Sequence, residues 1–263
     1  MQRNIPGDQP NHHATLIADS DLALAREIHR SPLPRDYISQ QLEIAVRYRE
    51  ADRLGGDCAT VQLKPDGNIF LAMCDACGHG IASALLAARI NSFVRDHAEQ
   101  SHDLCDLAES LNRFIFEHFY FSGAFATFLA AEVRPDLKEI LFNNWAQPPG
   151  WLYHTKSAMF ERLGSQRPAL GVMREFRHDC KTELMRYQLG DRLLFYTDGI
   201  TEARNSAGQI FGIERLQEFL QTAPVSLSGA EAAETILAQV ETFRGQEPCD
   251  DRLVMVVNFR GRD

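Results

Sequence analysis

The chain has 263 residues, 44% of them hydrophobic, and carries a formal net charge of −9 at pH 7 with no Lys/Arg-rich block. That length and apolar content are enough for a substantial buried core. The acidic balance argues against nucleic acid or an anionic membrane as the main partner, and it repels bare phosphate unless a cation intervenes.

Residues 1–14 are polar, contain Pro6, Gly7 and Pro10, and read as a flexible tail. Ile17, Leu24 and Ile28 fall at helical spacing, so residues 15–34 form an amphipathic lead-in helix stopped by Pro32 and Pro34. Its apolar stripe needs a cover, either the domain or a second copy of itself. Residues 35–263 then make one domain, since neither a linker nor a repeat divides them.

Leu42, Ile44, Val46 and Tyr48 alternate with Glu43, Ala45 and Arg47, the pattern of a half-buried strand. Gly55-Gly56-Asp57 follows, then a strand from about Thr60 to Lys64, a Pro65-Asp66-Gly67-Asn68 turn, and the buried run Ile69 to Met73 ending at Asp75. The turn makes the two strands antiparallel neighbours and sets Asp57 and Asp75 on one rim. Like charges that close are unfavourable without a cation between them.

Cys77-Gly78-His79-Gly80 turns the chain into a helix over Ile81–Asp96, and an apolar stripe predicts a second from Leu104 to His118. Phe125–Val133 and Glu139–Phe142 form a hairpin, and Trp151–His154 with Met159-Phe160 another; Asn143 to Gly150, between them, breaks structure. Thr182–Leu189 is a strand, Gly190-Asp191 a two-residue turn, and Arg192–Tyr196 a strand buried on both faces that ends in Thr197-Asp198-Gly199. Helices over Ile213–Leu220 and Gly229–Phe243 lead to Asp250-Asp251 and a last strand, Leu253–Val257. Hairpins interrupted by one helical pair and followed by another indicate an α+β fold with antiparallel sheets.

The six cysteines are scattered, and neither a signal-peptide core nor a membrane-length apolar run is present, so the thiols read as reduced and the protein as cytoplasmic. Cys74 and Cys77 lack the second pair that a zinc site needs.

Asp57, Asp75, Asp198 and Asp250 each stand at the edge of an apolar strand. Singly, each also suits a helix cap or a turn. Together, with no His or Cys among them, they suit hard oxygen-seeking ions such as Mg²⁺ or Mn²⁺. Two such ions roughly 3.5–4 Å apart can ready a water for in-line attack on phosphorus.

The ordered run Gly55-Gly56-Asp57, Asp75-Ala76-Cys77-Gly78-His79-Gly80, Phe125-Ala126-Thr127, Pro168-Ala169-Leu170-Gly171, Gly190 through Ala203, and Asp250-Asp251 resembles the SpoIIE-like branch of the type-2C (PPM) metal-dependent protein serine/threonine phosphatases. The resemblance covers roughly residues 30 to 260. It implies two packed antiparallel β-sheets, a β-sandwich, flanked by helices. It implies two divalent ions, Mn²⁺ or Mg²⁺, held by Asp57, Asp75, the Ala76 carbonyl, Asp198 and Asp250. Asp57, Asp75 and Asp198 would hold the nucleophilic water, and Gly78, His79 and Gln147 are candidates for the substrate loop.

The implied substrate is a phosphoserine or phosphothreonine protein, such as the small anti-sigma-factor antagonist of a partner-switching pathway. The lead-in helix resembles the family's joining helix, which can dimerise. Thr60 stands where the family has a further Asp, Leu253 replaces the Thr of D-D-x-T, and Trp145-Ala146-Gln147 replaces A-G-H in N-A-G-H-P-P. Two rival readings remain: a non-catalytic interaction module of the same fold, and a small-molecule phosphatase.

Overall fold

The computed structural model describes residues 12–101, 103–165, 167–176 and 180–260. Its elements run α1 (His12–Arg30), β1 (Tyr37–Ile38), β2 (Leu42–Arg49), β3 (Asp57–Leu63), β4 (Ile69–Ala76), α2 (Ile81–His97) and α3 (Leu104–Phe119). They continue β5 (Ala126–Arg134), β6 (Glu139–Trp145), β7 (Gly150–His154), β8 (Met159–Leu163), β9 (Glu183–Arg186) and β10 (Arg192–Tyr196). The chain closes with α4 (Asp198–Thr201), α5 (Gly212–Thr222), α6 (Gly229–Arg244) and β11 (Arg252–Phe259). The expected tail falls mostly outside the described residues; α1 begins at His12.

A six-stranded sheet, β1-β2-β11-β10-β7-β8, packs on a five-stranded sheet, β3-β4-β5-β6-β9, and every strand pair is antiparallel. The expected β-sandwich is therefore present. Alternation sorts the side chains into layers. Ile44, Val46, Phe195, Met255 and Val257 of one sheet meet Ala59, Leu71, Met73, Leu129 and Phe142 of the other. Behind the five-stranded sheet, Phe70, Cys74 and Phe128 pack on Leu86, Ile90, Leu107 and Leu111 of α2 and α3. Behind the six-stranded sheet, Leu194, Val254 and Val256 pack on Leu216, Ile236 and Val240 of α5 and α6.

Several expectations are corrected. β2 is buried on both faces from Leu42 to Val46, because α6 covers the face expected to meet water; Gly229 lies close against Ala45. Asn143, Asn144 and Trp145 continue β6 and are buried, so the break shrinks to residues 146–149, which carry the chain from one sheet to the other. Likewise β9 and β10 lie in different sheets, and Gly190-Asp191 is a crossover rather than a hairpin turn. β3 begins at Asp57 itself.

The thiols are not all reduced: Cys105 and Cys180, 75 residues apart, form a disulfide between the start of α3 and the segment before β9. That withdraws the cysteine count as an argument about compartment. No helix among the described residues is long and apolar enough to cross a membrane.

Candidate metal centre

The Pro65–Asn68 turn closes the β3-β4 hairpin with Lys64 and Asn68 paired, and this register makes Asp57 and Asp75 direct cross-strand partners. The Ala76 amide donates to the Gly56 carbonyl at 3.0 Å, so Gly56 and Ala76 form a hydrogen-bonded pair. Asp57 and Asp75, next along, are then a non-hydrogen-bonded pair, the kind whose side chains approach more closely. Asp57 shares the strand parity of Ala59, and Asp75 that of Met73. Both carboxylates therefore project between the sheets, at one open end of the sandwich.

The opposite sheet reaches the same end. Thr197, fully buried, donates from Oγ1 to Asp57 Oδ2 at 2.7 Å and accepts the Leu253 amide at 3.0 Å, which pins Asp57 across the sandwich. Asp198 opens α4 immediately after it. Asp250 is exposed and accepts the Asp251 amide at 2.8 Å, while Asp251 is buried and accepts the amides of Ala51 at 2.7 Å and Gly56 at 2.6 Å. Asp251 thus ties the start of β11 to the loop that delivers Asp57.

These acids share a field. Burial first, then Asp75, pushes the Asp57 carboxyl well above the usual carboxylate range, against the pull of the Thr197 hydrogen bond. Burial, then Asp198, Asp250 and Asp251, raises Asp75 to about 7. Asp198 is raised by burial and by Glu202 and Asp250, and Asp251 chiefly by burial, partly offset by the two amides it accepts. Among the described residues no three His, Cys, Asp or Glu side chains close on one point, so the aspartates share a field without being gathered into a ligand cage.

Two glycines make this approach possible. A Cβ on Gly199 would stand 2.0 Å from the Asp251 carbonyl oxygen, and one on Gly56 would stand 2.6 Å from the Ala76 carbonyl oxygen. Gly199→Ala should therefore destabilise the fold by about 1–3 kcal/mol or more, the usual range for overpacking a well-filled site. A denaturant midpoint equal to wild type would show that α4 has room to shift.

Of the substrate-loop candidates, Gly78 (φ +88°) and exposed His79 lie in the turn after Asp75. Gln147 lies in the crossover after β6, buried, with its amide donating to Asn144 Oδ1 at 3.0 Å and neither side-chain polar atom bonded. Ala146, where the resembled motif has glycine, adopts φ +60°. Sequence reasoning passed over Thr197 and the role of Asp251. Thr197 was findable, because it follows Leu193 and Phe195 at strand spacing on the inward face.

The donors present are carboxylate oxygens and the Ala76 backbone carbonyl, which a side chain at position 56 would crowd. That set fits hard divalent cations, and acids whose ionisation burial and mutual repulsion oppose are the groups a cation would relieve.

The family model described as Stage II sporulation protein E (SpoIIE) matches residues 65–260. Phosphoserine phosphatase RsbP of Bacillus subtilis (strain 168) is 23% identical over 185 residues, covering 69% of this chain and 45% of that protein. The chain spans about half the length of the curated relatives it matches. The SiaA-PP2C domain of Pseudomonas aeruginosa superposes with a TM-score of 0.77 at 17% identity, over 94% of this chain and 98% of that one. The catalytic domain of the serine/threonine phosphatase PstP, in complex with 2 manganese ions, superposes with a TM-score of 0.58 at 17% identity, over 84% and 99%.

Proposed function

We propose that this chain, which belongs to the SpoIIE family, is a Mn²⁺- or Mg²⁺-dependent phosphatase of a phosphoserine or phosphothreonine protein. The observation that carries the reading is the direct cross-strand pairing of Asp57 with Asp75, inside a field that also includes Asp198 and Asp250. Asp57, Asp75, the Ala76 carbonyl, Asp198 and Asp250 would hold two ions. When bound, such ions supply Lewis acidity and screen the phosphate from the chain's own negative charge.

The chain's residues do the positioning. Thr197 restrains the Asp57 carboxylate, Asp251 fixes the Gly56 amide, and Gly56, lacking a Cβ, does not crowd the Ala76 carbonyl. The likeness to phosphoserine phosphatase RsbP supports a phosphoserine substrate, and the manganese in the PstP complex supports the choice of ion. A small antagonist protein of a partner-switching pathway is the substrate class we favour. Residues 35–263 would be the phosphatase unit and α1 its lead-in. Leu24 and Ile28, exposed on α1, leave an apolar stripe that suits pairing with a second copy.

The test is hydrolysis of p-nitrophenyl phosphate by purified protein after EDTA treatment, with and without added Mn²⁺. Turnover should require the metal. Equal turnover in both conditions would refute the mechanism, and metal-dependent turnover confined to nucleotides or sugar phosphates would replace the substrate class.

A further inference from the structure

We propose that Glu50 is a positioning residue for the aspartate site: gripped by Arg26 and Arg30 of α1, it fixes the loop of residues 51–56 that sets where Asp57 and the Ala76 carbonyl stand. The proposal rests on reading that site as a divalent-metal centre.

Glu50 is the first residue beyond β2, at the root of the loop. Its side chain is only 2% exposed, although both partners are surface residues. Arg26 Nη2 donates to Oε2 at 3.1 Å, and Arg30 engages both carboxylate oxygens through Nε and Nη2. The two arginines lie one helical turn apart, so they reach a single acceptor from one face of α1. Exposed ion pairs contribute little, but a carboxylate this buried is costly to leave unpaired, which gives the grip its stiffness.

Asp251 spans the loop: it accepts the amide of Ala51, next to Glu50 at the root, and that of Gly56 at the far end, and Gly56 in turn accepts from the Ala76 amide. Gly55 sits so close between Tyr48 and Asp251 that an added Cβ would lie 2.1 Å from the Tyr48 hydroxyl and 2.1 Å from Asp251 Oδ2. His29, on the last turn of α1, places its ring 6.3 Å from that of Tyr48. The loop therefore has no free end: α1, through Glu50, and Asp251, through Ala51, hold its root, and Asp251 and β4 hold its tip. A shift at Glu50 passes into the segment that ends at Asp57.

The experiment compares full-length wild type, Glu50→Ala and the double variant Arg26→Ala/Arg30→Ala. Binding of Mn²⁺ alone is measured from the free-ion signal in electron paramagnetic resonance, and each EDTA-treated protein is melted in parallel. The double variant leaves the loop's own sequence intact. Both variants should bind Mn²⁺ about 10-fold or more weakly, the usual loss when a group supporting metal ligands is removed. Combining all three substitutions should add little further, because one clamp is broken either way.

Variants that melt earlier yet keep wild-type Mn²⁺ affinity would overturn the proposal, since Glu50 would then only dock α1. Loss in Glu50→Ala but not in the double variant would overturn the role of the arginines. Wild type that binds no Mn²⁺ would sink the metal reading itself.

Discussion

Asp75→Asn should lose at least about 100-fold in Mn²⁺-dependent turnover of p-nitrophenyl phosphate, while the metal-free protein becomes more stable. The floor follows from the 10–100-fold cost of losing even an outer-shell partner of a metal; a direct ligand should cost more. The gain in stability follows from the electrostatics. Burial, together with Asp198, Asp250 and Asp251, raises the Asp75 carboxyl to about 7, so the folded chain resists ionising it at neutral pH. A neutral amide of nearly the same shape removes that penalty. In a protein of this size each kcal/mol recovered is worth roughly 2–4 °C. Calorimetry of EDTA-treated protein at pH 7.5 should therefore show the variant melting above wild type. Undiminished turnover would remove Asp75 from the catalytic set. A lower melting point would mean that the carboxylate is held by donors rather than repelled by its neighbours.

The pairing behind this prediction was legible in the chain because its determinants are local. A Pro-Asp-Gly-Asn turn with a strand on each side leaves little choice of register, and register alone sets Asp57 opposite Asp75. What the sequence hid was set by distant segments. Nothing near Leu42–Val46 announces that α6 will cover the outer face of β2. Gly190-Asp191 has the residues of a hairpin turn, yet the chain uses it to change sheets, a choice made by tertiary packing. The Cys105–Cys180 bond joins positions with no distinguishing spacing. Asp251 stands beside Asp250 in the sequence, but one reaches solvent while the other is buried under the Gly56 amide, a difference that appears only once β11 is placed beside β2.

Metal-free wild type should lose stability as the pH rises from about 4.5 through 7, and excess Mn²⁺ should reverse that loss at the upper end. Asp57, Asp75, Asp198 and Asp251 are all raised in the folded state. Across this window these four carboxyls hold protons that the unfolded chain releases and outnumber His29, which burial lowers and which acts with the opposite sign, so stability falls with pH. His154, held by Asp191 at 2.7 Å and Glu161 at 3.3 Å, contributes with the same sign. Burial opposes its charge, but the two acids win and raise it, so its contribution is present at low pH and fades as the pH passes its folded value. A His154→Gln background removes that part. Glu50, where burial is outweighed by the bonds from Arg30 and Arg26, is pulled down to about 2; its contribution is lost only as the pH falls from about 4.5 toward 2, outside the window. Protons and cations compete for the same carboxylates, so Mn²⁺ should raise the melting point at pH 7.5 far more than at pH 5. At 100-fold above its dissociation constant an ion adds about 2.7 kcal/mol. A melting point that is flat or rising between pH 5 and 7.5 in EDTA would show that the four aspartates do not form one repelling cluster, and with that the reason for a cation at this end of the sandwich would go.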